Sequence, residues 1–198
     1  MLAGLLPLLW LFIQAITNHL GSNPIEALHI RLGDWTLRFL WLTLAVTPLQ
    51  IVSQWRGMAD FRQLLGLYTW FYGTLHILVY IAIDHAFEWS VIIDDILESS
   101  YIWYGVVTYL ILLLLALTSS NMAKKRMGKN WKKLHRWIYL APLTGLIHFI
   151  GQLKGNLAEP LLYTLLVLLL FGFRIANRVK QSYLARLMVP VGRVKNED

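Results

Sequence analysis

Six histidines and no cysteine set the chemistry open to this chain of 198 residues. Without thiols, disulfides, iron–sulfur clusters, CxxCH heme attachment and thiolate metal sites are all excluded. Any redox group must then be held non-covalently. His76, His135 and His148 fall inside long apolar runs, whereas His19, His29 and His85 lie in or beside polar segments. For the second group a solvated loop residue is the ordinary reading. For one imidazole in an apolar helix the ordinary reading is an interhelical hydrogen bond. An ionisable group in hydrocarbon is costly, however, and three on two helices favour a functional role.

Two neutral imidazoles facing each other at one depth are the axial ligands that a six-coordinate heme b requires. His76 lies about 14 residues past the start of an apolar segment at 62–83, and His148 about 14 past the start of one at 134–153, so both sit roughly 20 Å from the same end. Gly73 and Gly145 each precede one of these histidines by three positions and share nearly the same helix face, leaving room for a porphyrin. Small residues serve helix packing in membranes equally well.

His135 stands 13 residues before His148, about 20 Å along a helix axis, a step that suits two stacked hemes. An ideal helix would turn these two side chains about 140° apart, but Pro142 lies between them and can kink or rewind the helix. The matching positions before His76 are Gln63 and Arg62, so no histidine partner is available there. Three readings stay open: His135 ligates an inner heme with a weak or shared partner, it sits beside a propionate or another cofactor, or one heme is bound.

The elements that must position these side chains are membrane helices. The chain is 57% hydrophobic and 15% charged, with a mean hydropathy of +0.54, far from the composition of a soluble enzyme. Apolar segments at 1–17, 36–54, 62–83, 101–118, 134–153 and 157–175 are each long enough to cross a hydrocarbon core of about 30 Å. The first contains Pro7 but lacks the basic n-region and cleavage site of a signal peptide, so it is read as a span. The expected fold is an all-α bundle of six transmembrane helices: a single domain over 1–176 and a basic tail over 177–198.

Charge orients the bundle. The 55–62 loop carries Arg56 and Arg62, the 119–136 loop carries seven basic residues and no acid, and more basic residues follow from Arg174 onward. The 84–100 loop holds Asp84, Glu88, Asp94, Asp95 and Glu98 without one Lys or Arg. The positive-inside rule makes the basic side cytoplasmic and places both termini there. The formal charge of +7 therefore records orientation in a bilayer and gives no reason to expect nucleic-acid binding. Trp35, Trp55, Trp89, Trp103 and Trp131 cluster near span ends, at headgroup level.

The runs RQLLGLYTWFYGTLHILVY around His76 and GKNWKKLHRWIYLAPLTGLIHF around His135 and His148 closely resemble the MsrQ (YedZ) family of the ferric-reductase-like transmembrane superfamily. The opening AGLLPLLWL, the VTPL of the second segment and the LH-x12-H spacing extend that resemblance over essentially the whole chain. It implies a heme b subunit in the bacterial inner membrane, with FMN as a further cofactor. Electrons would pass from the quinone pool or a cytoplasmic flavin reductase to a periplasmic molybdopterin-containing methionine sulfoxide reductase, which repairs oxidised periplasmic proteins. The functional histidines would map onto His76, His135 and His148. The eukaryotic oxidase relatives carry two histidines on each ligand helix and a flavin–nicotinamide domain, and here the tail of about 23 residues from Ile175 is too short for such a domain. Direct reduction by NAD(P)H is accordingly not expected.

Other features carry weaker expectations. Arg62, Lys132, Lys133 and Arg136 could hold an FMN phosphate or meet a quinone headgroup, although orientation alone accounts for their charge. The acidic loop could dock the partner. Competing readings are a ferric or quinone reductase with another acceptor, a histidine-based metal-ion transporter, and an assembly scaffold without heme. The spans hold no Asp or Glu near their middle, which counts against the transporter.

Overall fold

A computed structural model describes residues 2–55, 57–153 and 157–187. Arg56 and the last part of the basic tail, 188–198, lie outside the described residues. Helices joined by short linkers make up the described residues, with no strand among them. Four helices are long and apolar enough to cross a membrane: Pro24–Ser53, Asp60–Asp84, Ser100–Leu117 and Ala158–Leu187.

A 3₁₀ turn at Leu2–Leu5 leads into α1 (Leu6–Ile16), whose first turn holds Pro7, where a proline costs no hydrogen bond. The second helix, α2, spans Pro24–Ser53 and begins twelve residues before the expected position 36. The cause is local. Asn23 caps it by accepting the Glu26 N–H at 3.3 Å and donating to the Glu26 carboxylate at 2.9 Å, with Pro24 preset in the first turn. The helix therefore outruns its apolar stretch and carries His29, Arg31, Asp34 and Arg38.

Helix α3 (Met58–Leu78) continues as a π-helical turn, Val79–Asp84. The acidic segment that follows is an amphipathic helix, α4 (Trp89–Glu98), and α5 (Ser100–Leu117) starts almost directly after it. Two short basic helices, α6 (Asn121–Met127) and α7 (Lys129–His135), come next. The segment expected as one helix over 134–153 is broken. Beyond α7 the chain tightens into a 3₁₀ turn at Arg136–Tyr139, and α8 (Ala141–Gln152) opens afresh with Pro142 in its first turn. Finally α9 runs from Ala158 to Leu187, past the expected boundary at 176.

Helix α2 packs along α3, α5 along α8, and α3 against α5. One buried cluster joins Leu40, Trp41, Leu44, Ile111, Leu115 and Phe149 across these helices. A second joins Leu11, Leu32, Phe39, Tyr72 and Val79. There the fully buried Tyr72 ties α1 to α3, its hydroxyl donating to the Gly4 carbonyl at 2.8 Å and accepting from the Leu8 N–H at 3.1 Å. Leu161, Leu165, Leu168 and Leu169 on α9 and Leu110, Leu114 and Leu117 on α5 face outward uncovered, as lipid-facing surfaces do.

Candidate functional site

A cavity of about 460 Å³ opens among α2, α3, α5 and α8 at the acidic end of the bundle, with Ile92, Asp95 and Ile96 of α4 at its mouth. Its size falls within the range of about 300–1,000 Å³ usual for small-molecule and cofactor sites. Leu37, Ile77, Ile81, Leu112 and Phe149 line it with hydrocarbon, and Thr36, Tyr80, Tyr101, Thr108 and Tyr109 supply sparse polar groups.

His76 and His148 both line this cavity, with ring centres 6.2 Å apart and ring planes at 85°. The Nδ1 of His76 lies 2.9 Å from the His29 carbonyl, and the Nδ1 of His148 lies 2.9 Å from the Tyr101 carbonyl. A carbonyl can only accept, so each Nδ1 carries the proton and each neutral ring keeps its lone pair on Nε2. That is the tautomer a metal ligand needs, with the second nitrogen anchored. A metal bound in line by two imidazoles, each nitrogen about 2 Å away, sets the ring centres about 6 Å apart. The observed 6.2 Å therefore fits two axial ligands of one iron.

Gly73 and Gly145 also line the cavity. A Cβ on Gly73 would meet Thr36 at 3.5 Å and one on Gly145 would meet Leu37 at 3.4 Å, ordinary contact distances. The tightest approaches to the imidazoles occur at two other glycines. A Cβ on Gly33 would stand 3.1 Å from the His76 ring, and one on Gly105 would stand 2.7 Å from that of His148. Sequence reasoning missed both. The signal was the spacing His29-x3-Gly33 and Tyr101-x3-Gly105, which places each glycine one turn beyond a carbonyl acceptor.

The structure moves two histidines out of the solvated group. His29 sits half-buried on α2 and stacks on His76 with ring centres 4.1 Å apart. His85, also half-buried, packs against Tyr80 with ring centres 4.4 Å apart and planes tilted by 51°, its Nδ1 3.1 Å from the Tyr80 carbonyl. His19 is exposed, as expected. Carboxylates are also nearer than expected. Asp34 lies inside α2 and lines the cavity with Glu26, Asp84 and Asp95, and no Lys or Arg is among the lining residues. These charges do not form a metal cluster among the described residues.

His135 lies elsewhere, at the basic end. Four residues at 3₁₀ pitch add about 80° to the turn between His135 and His148, cutting their angular offset from about 140° to about 60°. The rewinding still does not bring His135 into the cavity. Its Nε2 lies 3.1 Å from the Thr118 hydroxyl and its ring stacks on Trp131 at 4.0 Å. Gln63 donates to the Ser119 carbonyl at 3.0 Å nearby. Arg62 reaches Gln50 at 3.3 Å, while Lys132, Lys133 and Arg136 are exposed.

An all-helical scaffold with membrane-length helices that folds two imidazoles into one cavity places the chain among helical membrane proteins with a buried histidine pair. A family model described as "Ferric reductase like transmembrane component" matches residues 3–146. Among curated relatives, a protein of Polaromonas naphthalenivorans is 43% identical over 87% of this chain and 80% of its own length. One of Rhodospirillum rubrum is 38% identical over 90% of this chain and 86% of its own length, and one of Brucella anthropi 35% over 98% and 86%. All three are named protein-methionine-sulfoxide reductase heme-binding subunit MsrQ. The chain belongs to the MsrQ family of ferric-reductase-like transmembrane proteins. No solved structure matches it significantly.

Proposed function

We propose that this chain is the heme b electron-transfer subunit of a methionine sulfoxide reductase system, with His76 and His148 as axial ligands. The observation that carries this reading is the pair of Nδ1-anchored imidazoles 6.2 Å apart in one cavity. When bound, the heme supplies reversible one-electron chemistry. The protein's own groups do the rest. The His29 and Tyr101 carbonyls fix the two tautomers, and Gly73 and Gly145 keep the walls low beside the macrocycle. Four carboxylates line the cavity, of which Asp34 stands 4.0 Å from the Arg38 guanidinium, and their net field disfavours added negative charge, which lowers the potential and favours electron transfer onward to an acceptor.

The topology that serves this function is a six-span domain over 1–176 in the bacterial inner membrane, with both termini and the tail from 177 cytoplasmic. The basic end then faces the donor, a quinone or a cytoplasmic flavin reductase, and Arg62, Lys132, Lys133 and Arg136 are the groups available there to an FMN phosphate or a quinone headgroup. His135 stands on that side as the candidate for a second heme. The acidic end faces the periplasm, where α4 meets a molybdopterin-containing catalytic subunit that reduces the sulfoxide. The relatives' names support the sulfoxide part of this reading.

A pyridine-hemochrome assay with protein quantitation, followed by reconstitution with the periplasmic subunit, tests the proposal. Expected are the paired α and β bands of low-spin heme b on reduction, and sulfoxide reduction only when both subunits are present. A featureless visible spectrum after heme-replete expression sinks the cytochrome reading. A heme spectrum with electron delivery to ferric iron and none to the partner would instead support a ferric-reductase role.

A further inference from the structure

The two cavity imidazoles are held by one device used twice. On α2 the acceptor is the carbonyl of His29 and the residue one turn later is Gly33; on α5 the acceptor is the carbonyl of Tyr101 and the residue one turn later is Gly105. In each case the histidine lies 47 residues beyond its acceptor. In each case the acceptor's own side chain packs against the ring it holds, His29 at 4.1 Å and 27°, Tyr101 at 5.7 Å and 38°. Helix pairs α2–α3 and α5–α8 thus form two equivalent half-sites.

The physical logic is specific. A helical carbonyl already accepts the N–H four residues on, but its second lone pair is open. A side chain at that fourth residue would shield it from the flank. Glycine leaves the flank bare, and the imidazole lies down on the backbone: an added Cβ would meet the His148 ring at 2.7 Å at Gly105, where something must shift, and the His76 ring at 3.1 Å at Gly33, where the ring must give by a few tenths of an ångström. Contact with the backbone on one side and a fixed Nδ1–H direction together remove the ring's freedom to rotate about its metal bond. The two half-sites hold their rings at 85° to one another.

We propose that His29–Gly33 and Tyr101–Gly105 are paired positioning units that lock the axial imidazole planes of the heme at right angles. The inference rests on the heme reading above. Ring-plane angle is legible in the ferric spectrum, because crossed planes leave two iron d orbitals nearly degenerate and parallel planes split them. Crossed planes give a highly anisotropic low-spin paramagnetic resonance signal, whereas parallel planes give a rhombic one.

The test is electron paramagnetic resonance of the oxidised, detergent-purified full chain and of four single variants. Wild type should show the anisotropic signal. Gly105→Ala should shift it toward the rhombic type or lose the heme, and Gly33→Ala should shift it less, following the two distances. Gly66→Ala, whose Cβ would meet only Thr43 at 3.8 Å, and Gly172→Ala, with nothing within 4 Å, should match wild type. Heme loss in Gly105→Ala with helicity retained by circular dichroism supports the proposal; if helicity is lost as well, the Gly33→Ala spectrum decides. A rhombic wild-type signal overturns it, as do wild-type spectra from both cradle variants or an equal shift in Gly66→Ala. Wild type without any heme band sinks the functional reading itself, an outcome separate from all of these.

Discussion

The two ends of the bundle use histidine in opposite ways. At the acidic end His76 and His148 each commit Nδ1 to a carbonyl, keep Nε2 free and share a cavity. At the basic end His135 commits Nε2 to the Thr118 hydroxyl and stacks on Trp131, whose own Nε1 donates to the Thr118 carbonyl at 2.9 Å. Burial alone does not distinguish a ligand from a structural histidine. The two ends differ in which nitrogen is occupied, and only at the acidic end does a second imidazole lie near, with ring centres 6.2 Å apart.

The sharpest way to break this contrast is to remove each imidazole. His76→Ala and His148→Ala should each abolish the heme signal of the acidic end, because a single remaining ligand leaves the iron one axial bond short. His135→Ala should keep that signal. Heme-to-protein ratio and the reduced α band of each purified variant are the measurements. If His135→Ala loses the acidic-end heme while His148→Ala retains it, the assignment of roles to the two ends is reversed.

Part of this contrast is legible in the sequence. Counting residues along two assumed straight helices from 62 and 134 puts His76 and His148 at one level, and both do line one cavity, although α3 starts at Met58 and the second helix is broken at Arg136–Tyr139. The all-helical character and the long apolar helices follow equally from hydropathy. The cradles do not follow, since acceptor and glycine stand on helices other than the histidine's own, and nothing local to His76 marks Gly33. His29 is misread for another reason. Glu26, Arg31 and Asp34 lower the hydropathy of 24–35, so the apolar pattern ends before the helix does, although Asn23, Pro24 and Glu26 spell out its start. The break at 136–140 is hinted at by Pro142, but hydropathy is blind to a change of helical pitch.

A second difference between the ends lies in how hydroxyls are spent. Thr108 on α5 and Thr144 on α8, both buried, face each other at 2.7 Å at the cavity wall. Thr108→Val should lower unfolding stability by about 1.5 kcal/mol, since the Thr144 hydroxyl loses its partner across the helix pair and keeps only the longer bonds to the Leu140 and Ala141 carbonyls of its own helix. Thr118→Val, at the half-buried basic end, should cost less, about 0.5–1.5 kcal/mol. Denaturant titration of the detergent-solubilised protein would measure both; equal losses would mean that the cavity wall is as wet as the basic end.

The smallest expected effect concerns the mouth. Tyr80, on the π turn that follows His76, donates its hydroxyl to Asp95 of α4 at 2.6 Å. His85 Nε2 stands 3.7 Å from the same carboxylate oxygen, and Ser99 donates to the other at 3.3 Å. Asp95 is thus the fixed point that holds α4 across the cavity. Tyr80→Phe removes one hydrogen bond from this junction and keeps the ring that packs against His85. With His85 and Ser99 still in place, the loss should be about 1 kcal/mol, or roughly five-fold faster amide hydrogen exchange within Trp89–Glu98 if that helix opens locally. The matching change at the basic end, Gln63→Ala, removes an exposed bond to the Ser119 carbonyl and should leave exchange in α5 and α6 almost unaltered. An equal response at the two ends would show that α4 is held by its buried Ile92 and apolar face, with the Tyr80–Asp95 bond merely following.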